Sequence, residues 1–323
     1  MIHRSGTKLT SHIGLPFLAI LLAGCQTMQN DASQPLFDTH AHFFSDDTGR
    51  YPINSKGAKE GAEALRQRII SHPSTPENIL ALWDASAVTG GAGVQYSSAY
   101  KTDNSYLLDS SDAYPDRISA VVILDATAPE TPAKLRDMVT RHGVTGLRLT
   151  GFAAEDGSYP WLNSETALAT WAEANRLGIA VELMPLPART ATTALGHIKH
   201  LARSFPNVKI IVDHIGWPDL KGAPDYGISE AHRALQPLDN VYFKLTTINL
   251  NNLDREGLSS SQFVRHVIDI FGADRVMWGS DYGNTQGEFV DMVHRARTAT
   301  ELLNAVERRK VLHDTGKAIL GRK

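Results

Sequence analysis

Eight short apolar runs, separated by about 25 to 40 residues and alternating with helical patterns, predict a single α/β domain, a (β/α)8 TIM barrel over residues 36–323. Several runs, such as Ile118 to Leu124, are apolar almost throughout, as parallel strands buried on both faces are. Polar residues end the first run (His40, His42) and the last (Asp281), and they meet only if the sheet closes on itself. An open, doubly wound sheet is the alternative architecture for such an alternation. No internal repeat or interdomain linker is visible.

Phe37-Asp38-Thr39-His40-Ala41-His42 is the first strand, and a long polar insert, Ser45 to Pro76, follows it. Such an insert on the catalytic face of a barrel reads either as a lid carrying Tyr51, Arg66 and Arg68 or as a solvated excursion. Thr75-Pro76 is a helix start signal, so Glu77 to Ala87 is the first expected helix. Strands are expected at Val94–Ser98, Ile118–Leu124, Gly146–Thr150, Ile179–Met184, Lys209–Asp213, Val241–Leu245 and Arg275–Gly279. Helices are expected at Thr131–His142, stopped by Gly143, and at Ser164–Leu177, Gln262–Phe271 and Glu301–Ile319.

The segment before the barrel reads as a leader. Arg4 and Lys8 form a basic start, and Ile13 to Leu22 is an apolar stretch of about ten residues, too short to span a bilayer. It ends in Leu22-Ala23-Gly24-Cys25, which resembles the lipobox of bacterial lipoproteins. Residues 1–24 are therefore expected to be a signal peptide, Cys25 the lipidation site and 25–35 a tether. The resemblance implies an outer-membrane lipoprotein facing the periplasm, held by its lipid alone. An ordinary cleaved leader with a chance cysteine is the plainer reading. Cys25 is the only cysteine, so no intramolecular disulfide can form. A net charge of −3 and a pI near 6.5 give no long-range attraction for nucleic acid.

Residues two apart on a strand share a face, so His40 and His42 aim at one small volume. That pair suits ligation of a metal ion or polarisation of a carbonyl. His214 follows the sixth strand and Asp281 the eighth, and active sites of such barrels lie at these strand ends. Three histidines and a carboxylate from separate strands are hard to explain structurally. His142, His197, His200, His266, His294 and His313 fall on expected helices and read as surface or capping residues. Whether Lys244 faces the barrel interior is not settled by alternation.

These residues resemble the amidohydrolase superfamily, in particular its amidohydrolase-related lactonases, which include 2-pyrone-4,6-dicarboxylate lactonase and fuconolactonase-like enzymes. The resemblance rests on Phe37 to His42, Gly146-Leu147-Arg148-Leu149, Val212-Asp213-His214-Ile215-Gly216-Trp217-Pro218, Val241 to Leu245 and Trp278-Gly279-Ser280-Asp281-Tyr282. It implies hydrolysis of a small carboxylated or sugar lactone. Asp281 would activate water, His40 and His42 would polarise the carbonyl, and His214 would hold the acyl group or protonate the leaving oxygen. Arg148 would grip a substrate carboxylate, or else form a structural ion pair. Ser98 and Tyr100 are further substrate-binding candidates. His40, His42, His214 and Asp281 could also hold one divalent ion, zinc before others, or none.

Two departures stand out. Metal-dependent members place a His or a carbamylated Lys at the end of the fifth strand, where this chain has Met184. Glu182, on the same face but a layer deeper, is a weak substitute, so two ions are not expected. Tyr282-Gly283 replaces the Trp-Pro common after the last-strand Asp. A metal-dependent non-oxidative decarboxylase of the same superfamily and a non-catalytic envelope lipoprotein are the competing readings.

Overall fold

The structure, a computed structural model, describes residues 1–3, 34–186 and 191–322. Cys25 and nearly all of the expected leader lie outside the described residues. Eight parallel strands form one sheet in chain order: β1 (Leu36–Ala41), β2 (Val88–Val94), β3 (Ile118–Ile123), β4 (Gly146–Phe152), β5 (Ala180–Leu186), β6 (Lys209–Val212), β7 (Val241–Thr246) and β8 (Val276–Gly279). The order and direction are those of the expected barrel. The helices that cover it are α1 (Ala62–Ser71), α2 (Pro76–Ala85), α3 (Ser105–Ala113), α4 (Thr131–His142), α5 (Glu165–Leu177), α6 (Ala191–Ser204), α7 (Thr247–Arg255), α8 (Ser260–Phe271), α9 (Phe289–Ala299), α10 (Ala305–Arg309) and α11 (Thr315–Leu320). Local signals fix their ends. Thr75 caps α2 through Asn78 N at 3.3 Å with Pro76 in the first turn, and Gly143 (φ 61°) and Gly178 (φ 66°) end α4 and α5 in the left-handed conformation.

Closure of the barrel between β1 and β8 is made largely by side chains. The Asp38 carboxylate accepts from Ser280 N (2.8 Å) and Ser280 Oγ (2.6 Å), and Thr39 Oγ1 donates to the Trp278 carbonyl (2.7 Å). Two backbone bonds continue the seam, Asp281 N to His40 O (2.7 Å) and His42 N to Tyr282 O (2.9 Å). Gly279 must be glycine here, because a Cβ would lie 2.5 Å from that of His40.

The second strand lies six residues earlier than expected. Val88-Thr89-Gly90-Gly91-Ala92-Gly93-Val94 carries three glycines that hide its hydrophobic pattern, yet a Cβ on Gly91 would meet the Asp38 carbonyl at 2.2 Å. Val94 only ends this strand, and Ser97–Tyr100 is a one-turn helix. The polar insert contains α1, whose Leu65 and Ile69 pack with Phe44, Tyr51, Ala99 and Tyr100 in a small core of their own. The single late helix expected at Glu301–Ile319 is instead α10 and α11, joined by a π-turn at Lys310–Asp314.

Candidate active site

Alternation along the strands divides the barrel interior into layers. Ala92, Val121, Ala180, Ile211 and Met277 share a buried apolar cluster inside the barrel. Two residues further along three of those strands stand Glu182, Asp213 and Gly279, and two beyond Gly279 stands Asp281. Arg148 and Lys244 join this upper layer, and Lys244, whose orientation the sequence leaves open, is wholly buried. The apolar floor thus removes water from beneath a ring of charged groups.

His40, His42 and Asp281 meet at the top of this ring. Asp281 Oδ1 lies 3.5 Å from His40 Nε2 and 3.4 Å from His42 Nε2, with all three side chains buried. Its other oxygen is fixed: Oδ2 accepts from Thr285 Oγ1 (2.5 Å) and Asn284 Nδ2 (2.9 Å). Asn284 Oδ1 in turn accepts from Tyr96 Oη (2.8 Å), and the Tyr96 ring packs on His42 with centroids 4.8 Å apart. Asp281 takes a left-handed backbone (φ 58°) to point inward. Burial opposes its ionisation, and the Thr285 hydroxyl donating to Oδ2 favours it. His42 Nδ1 faces the Val94 carbonyl at 2.7 Å, and a carbonyl only accepts, so Nδ1 carries a proton and a ring with a single proton presents a bare Nε2 toward Asp281.

His214 reaches the site through an unusual turn. His214 (φ 52°), Ile215 (φ 54°), Gly216 (φ 68°) and Trp217 (φ 56°) are four consecutive left-handed residues, although only one is glycine. The cost is about 1–2 kcal/mol for each non-glycine residue. Asn249 holds the turn, its Nδ2 donating to the His214 carbonyl (2.8 Å) while its Oδ1 accepts from Thr246 Oγ1 (3.2 Å). That leaves Thr246 Oγ1 free to accept from His214 Nδ1 (2.7 Å), so His214 also presents a bare Nε2. Burial lowers its pKa to about 4, so the ring favours its neutral form near pH 7.

Below lies a buried ion network. Arg148 Nε and Nη2 both donate to Asp213 Oδ2 (3.1 and 2.8 Å), and Nε lies 3.3 Å from Glu182 Oε1. Lys244 Nζ bonds Glu182 Oε2 and lies 3.8 Å from Asp213 Oδ1. Burial and the Asp213 charge push Glu182 up to about 7, whereas Arg148 and Lys244 hold Asp213 low against burial. Arg148 is therefore engaged in the structural ion pair weighed beside its carboxylate-binding role. The Asp-His pair of the sixth strand divides its work between this network and the site above.

Ser98 and Tyr100 are not in the donor cluster. Tyr100 Oη accepts from Ser45 N (3.0 Å) and its ring belongs to the core of the insert, while Ser98 is half-buried and bonds Tyr96. Of the insert's candidates, Tyr51 Oη donates to Asp109 (2.5 Å), and Arg68 pairs with Glu60 (2.8 Å) and donates to the Gly283 carbonyl. Arg68 thereby ties α1 to the loop that carries Asp281. Tyr96, Asn284 and Thr285 are the neighbours that sequence reasoning did not single out, and Lys244 it named without settling its face. Tyr282-Gly283-Asn284-Thr285, the departure after the last strand, was the available signal for two of them.

A divalent ion fits the upper donors. His40 Nε2, His42 Nε2 and one Asp281 oxygen lie within 4.8 Å of one another, and His40 Nε2 has no hydrogen-bond partner. Two lone pairs, on His42 Nε2 and Asp281 Oδ1, face each other, an arrangement a cation between them stabilises. His214, expected among the ligands, is not in this group.

The amidohydrolase family model matches residues 37–322. L-fucono-1,5-lactonase of Burkholderia ambifaria is 28% identical over 220 residues, 64% of this chain and 69% of that one. 4-Sulfomuconolactone hydrolase of Rhizobium radiobacter is 26% identical over 249 residues, 76% of this chain and 75% of the relative. A crystal structure from Pseudomonas putida, described as a candidate 2-pyrone-4,6-dicarboxylic acid hydrolase, superposes with a TM-score of 0.67 at 25% identity, covering 90% of this chain and 98% of that one. With the seam that joins its first and last strands bearing the buried His-x-His and Asp, this chain belongs to the amidohydrolase family and is a hydrolase.

Proposed function

We propose that the chain opens a small lactone, of a sugar or of a dicarboxylic acid, by attack of water. The observation that carries this reading is the asymmetry of Asp281: Oδ2 is fixed by Thr285 and Asn284, while Oδ1 faces the two histidines without a protein donor of its own on hand. Asp281 Oδ1 takes the proton of the attacking water as the new C–O bond forms. The carbonyl oxygen gathers charge beside His40 and His42, the ring C–O bond breaks, and the proton passes to the released alkoxide. One divalent ion, zinc foremost, would when bound supply Lewis-acid polarisation of that carbonyl, held by His42 and Asp281 with His40. Two relatives whose names specify lactone hydrolysis support the substrate class.

The test is a pH-indicator screen of sugar and dicarboxylate lactones, run in parallel on chelated and zinc- or manganese-supplied protein. Release of one acid equivalent per lactone supports the reading. Inactivity on both lactone classes in both preparations, with carbon dioxide released from an aromatic acid, would move the chain to the decarboxylases. Met184, two residues before the end of β5, argues against that outcome, because its thioether is a poor ligand for such an ion.

The abrupt end of the apolar leader at Cys25 supports a second proposal, a lipid anchor in the bacterial envelope. Cys25→Ser should then move the protein out of the membrane fraction, and an unchanged distribution would refute the anchor.

A further inference from the structure

Under the catalytic trio lies a second set of donors: His40, Glu182 and Asp213 each offer an atom within 4.8 Å of the others, and all are buried. Glu182 Oε1 and Asp213 Oδ1 have no hydrogen-bond partner. Lys244 Nζ stands among the three residues, bonded to Glu182 Oε2, 3.2 Å from His40 Nδ1 and 3.8 Å from Asp213 Oδ1. We infer that Lys244 is a resident cation that fills this inner donor set in place of a metal ion, and that its hydrogen bond to His40 Nδ1 puts the His40 ring proton on Nε2.

The argument is one of donors and acceptors. An ammonium has hydrogens to give and nothing with which to accept, so the nitrogen it approaches must be the bare one. The alternative partners of a protonated Nδ1, Glu182 Oε1 at 3.6 Å and Asp213 Oδ1 at 3.7 Å, are beyond hydrogen-bond reach. With Nδ1 accepting from Lys244, the ring carries its one proton on Nε2. His42 and His214 are held by Val94 O and Thr246 Oγ1 in the opposite tautomer. The three rings are therefore not equivalent: two present lone pairs, and His40 alone presents an N–H, on the buried Nε2, which makes no hydrogen bond although Asp281 Oδ1 lies 3.5 Å away.

Two consequences follow. A substrate carbonyl is the acceptor that His40 Nε2–H lacks, which makes His40 the direct polarising donor; this meaning rests on the hydrolase reading, whereas the placement of Lys244 does not. A metal ion on His42 and Asp281 recruits His40 as a third ligand only by displacing that proton, which Lys244 opposes. Lys244 is thus a positioning residue acting through His40.

The experiment uses chelator-treated, full-length protein labelled with ¹⁵N-histidine, the His40 signals being those lost in His40→Gln. Wild-type His40 should show the Nε2–H tautomer, and an Nδ1–H tautomer would overturn the inference. Zinc and manganese are then titrated into wild type and Lys244→Met, with bound metal counted by elemental analysis. Lys244→Met should hold either ion at least about tenfold more tightly, from loss of the adjacent charge and release of His40 Nε2. Equal affinities in folded protein would sink the resident-cation half. If Lys244→Met fails to fold, Lys244→Met/Glu182→Gln removes one charge of each sign, and the wild-type spectrum decides the tautomer in any case. Neither readout uses activity, so a failed substrate screen and a failed inference remain distinguishable.

Discussion

Asp281 shows how much a single residue depends on its neighbours: one oxygen is fixed by Thr285 and Asn284, and the other is left for chemistry. Asp281→Asn keeps the shape and removes the base, so lactone hydrolysis should fall by at least about 10²-fold with the thermal midpoint little changed. Near-full activity in that variant would remove Asp281 from the mechanism. Arg148 makes the contrasting case. Its guanidinium is matched to Asp213 in a dry environment, so Arg148→Met should destabilise the fold by about 3–5 kcal/mol in urea unfolding. A folded, equally stable Arg148→Met with a raised KM would instead return Arg148 to substrate binding. His40, His42, His214 and Asp281 were legible in the sequence because each ends a strand. Lys244 was not, because a charged residue inside an apolar strand does not reveal which face it takes, and for Glu182 the face was legible but the pairing with Lys244 was not. Asn284 and Thr285 were illegible for another reason: their role depends on the path of a loop.

Among the elements, the left-handed turn from His214 to Trp217 is the one most exposed to damage, since three non-glycine residues hold a disfavoured backbone there. Asn249, at the start of α7, holds it in place. Asn249→Ala leaves the His214 carbonyl without its donor and should cost about 1–3 kcal/mol. The same change frees Thr246 and loosens the tautomer of His214, so kcat should drop as well. An unchanged denaturation midpoint and kcat would show that the turn stands without Asn249. Strands with continuous apolar runs, such as β3 and β5, were readable within a residue or two. Strand β2 was not, because close approach to the Asp38 carbonyl and the Trp83 ring demands glycine where a pattern would show valine. Helix α1 was hidden for the opposite reason: only Leu65 and Ile69 of its ten residues are buried, and they pack against a local core.

At the scale of the whole molecule, buried neutral imidazoles set the response to acid. Burial lowers His214 and His232 to about 4 from the ordinary 6.5, and His40 well below it. Between those values the unfolded chain binds protons that the folded one refuses. Their contribution to stability is therefore complete above pH 6.5 and is lost as pH falls toward 4. Glu182 works in the other sense, since a folded-state value of about 7 against the ordinary 4.5 loses stability as pH rises through that interval. Three groups outweigh one, so the unfolding free energy should fall from pH 7 to pH 5 by about 1.4 kcal/mol per pH unit for each net proton, seen as a lower urea midpoint. Equal midpoints would show that these imidazoles are charged in the folded state. The seam between β1 and β8 has a consequence for the birth of the protein. Asp38 and its partner Ser280 are 242 positions apart, and the histidine pair and Asp281 sit on either side of that same junction. A nascent chain on the ribosome holds its histidine pair almost from the start but has nothing to close against until Ser280 has been made. Loop closure over such a separation is slow. Chains released before that point should therefore be wholly inactive rather than partly active, because completing the barrel and completing the active site are one event.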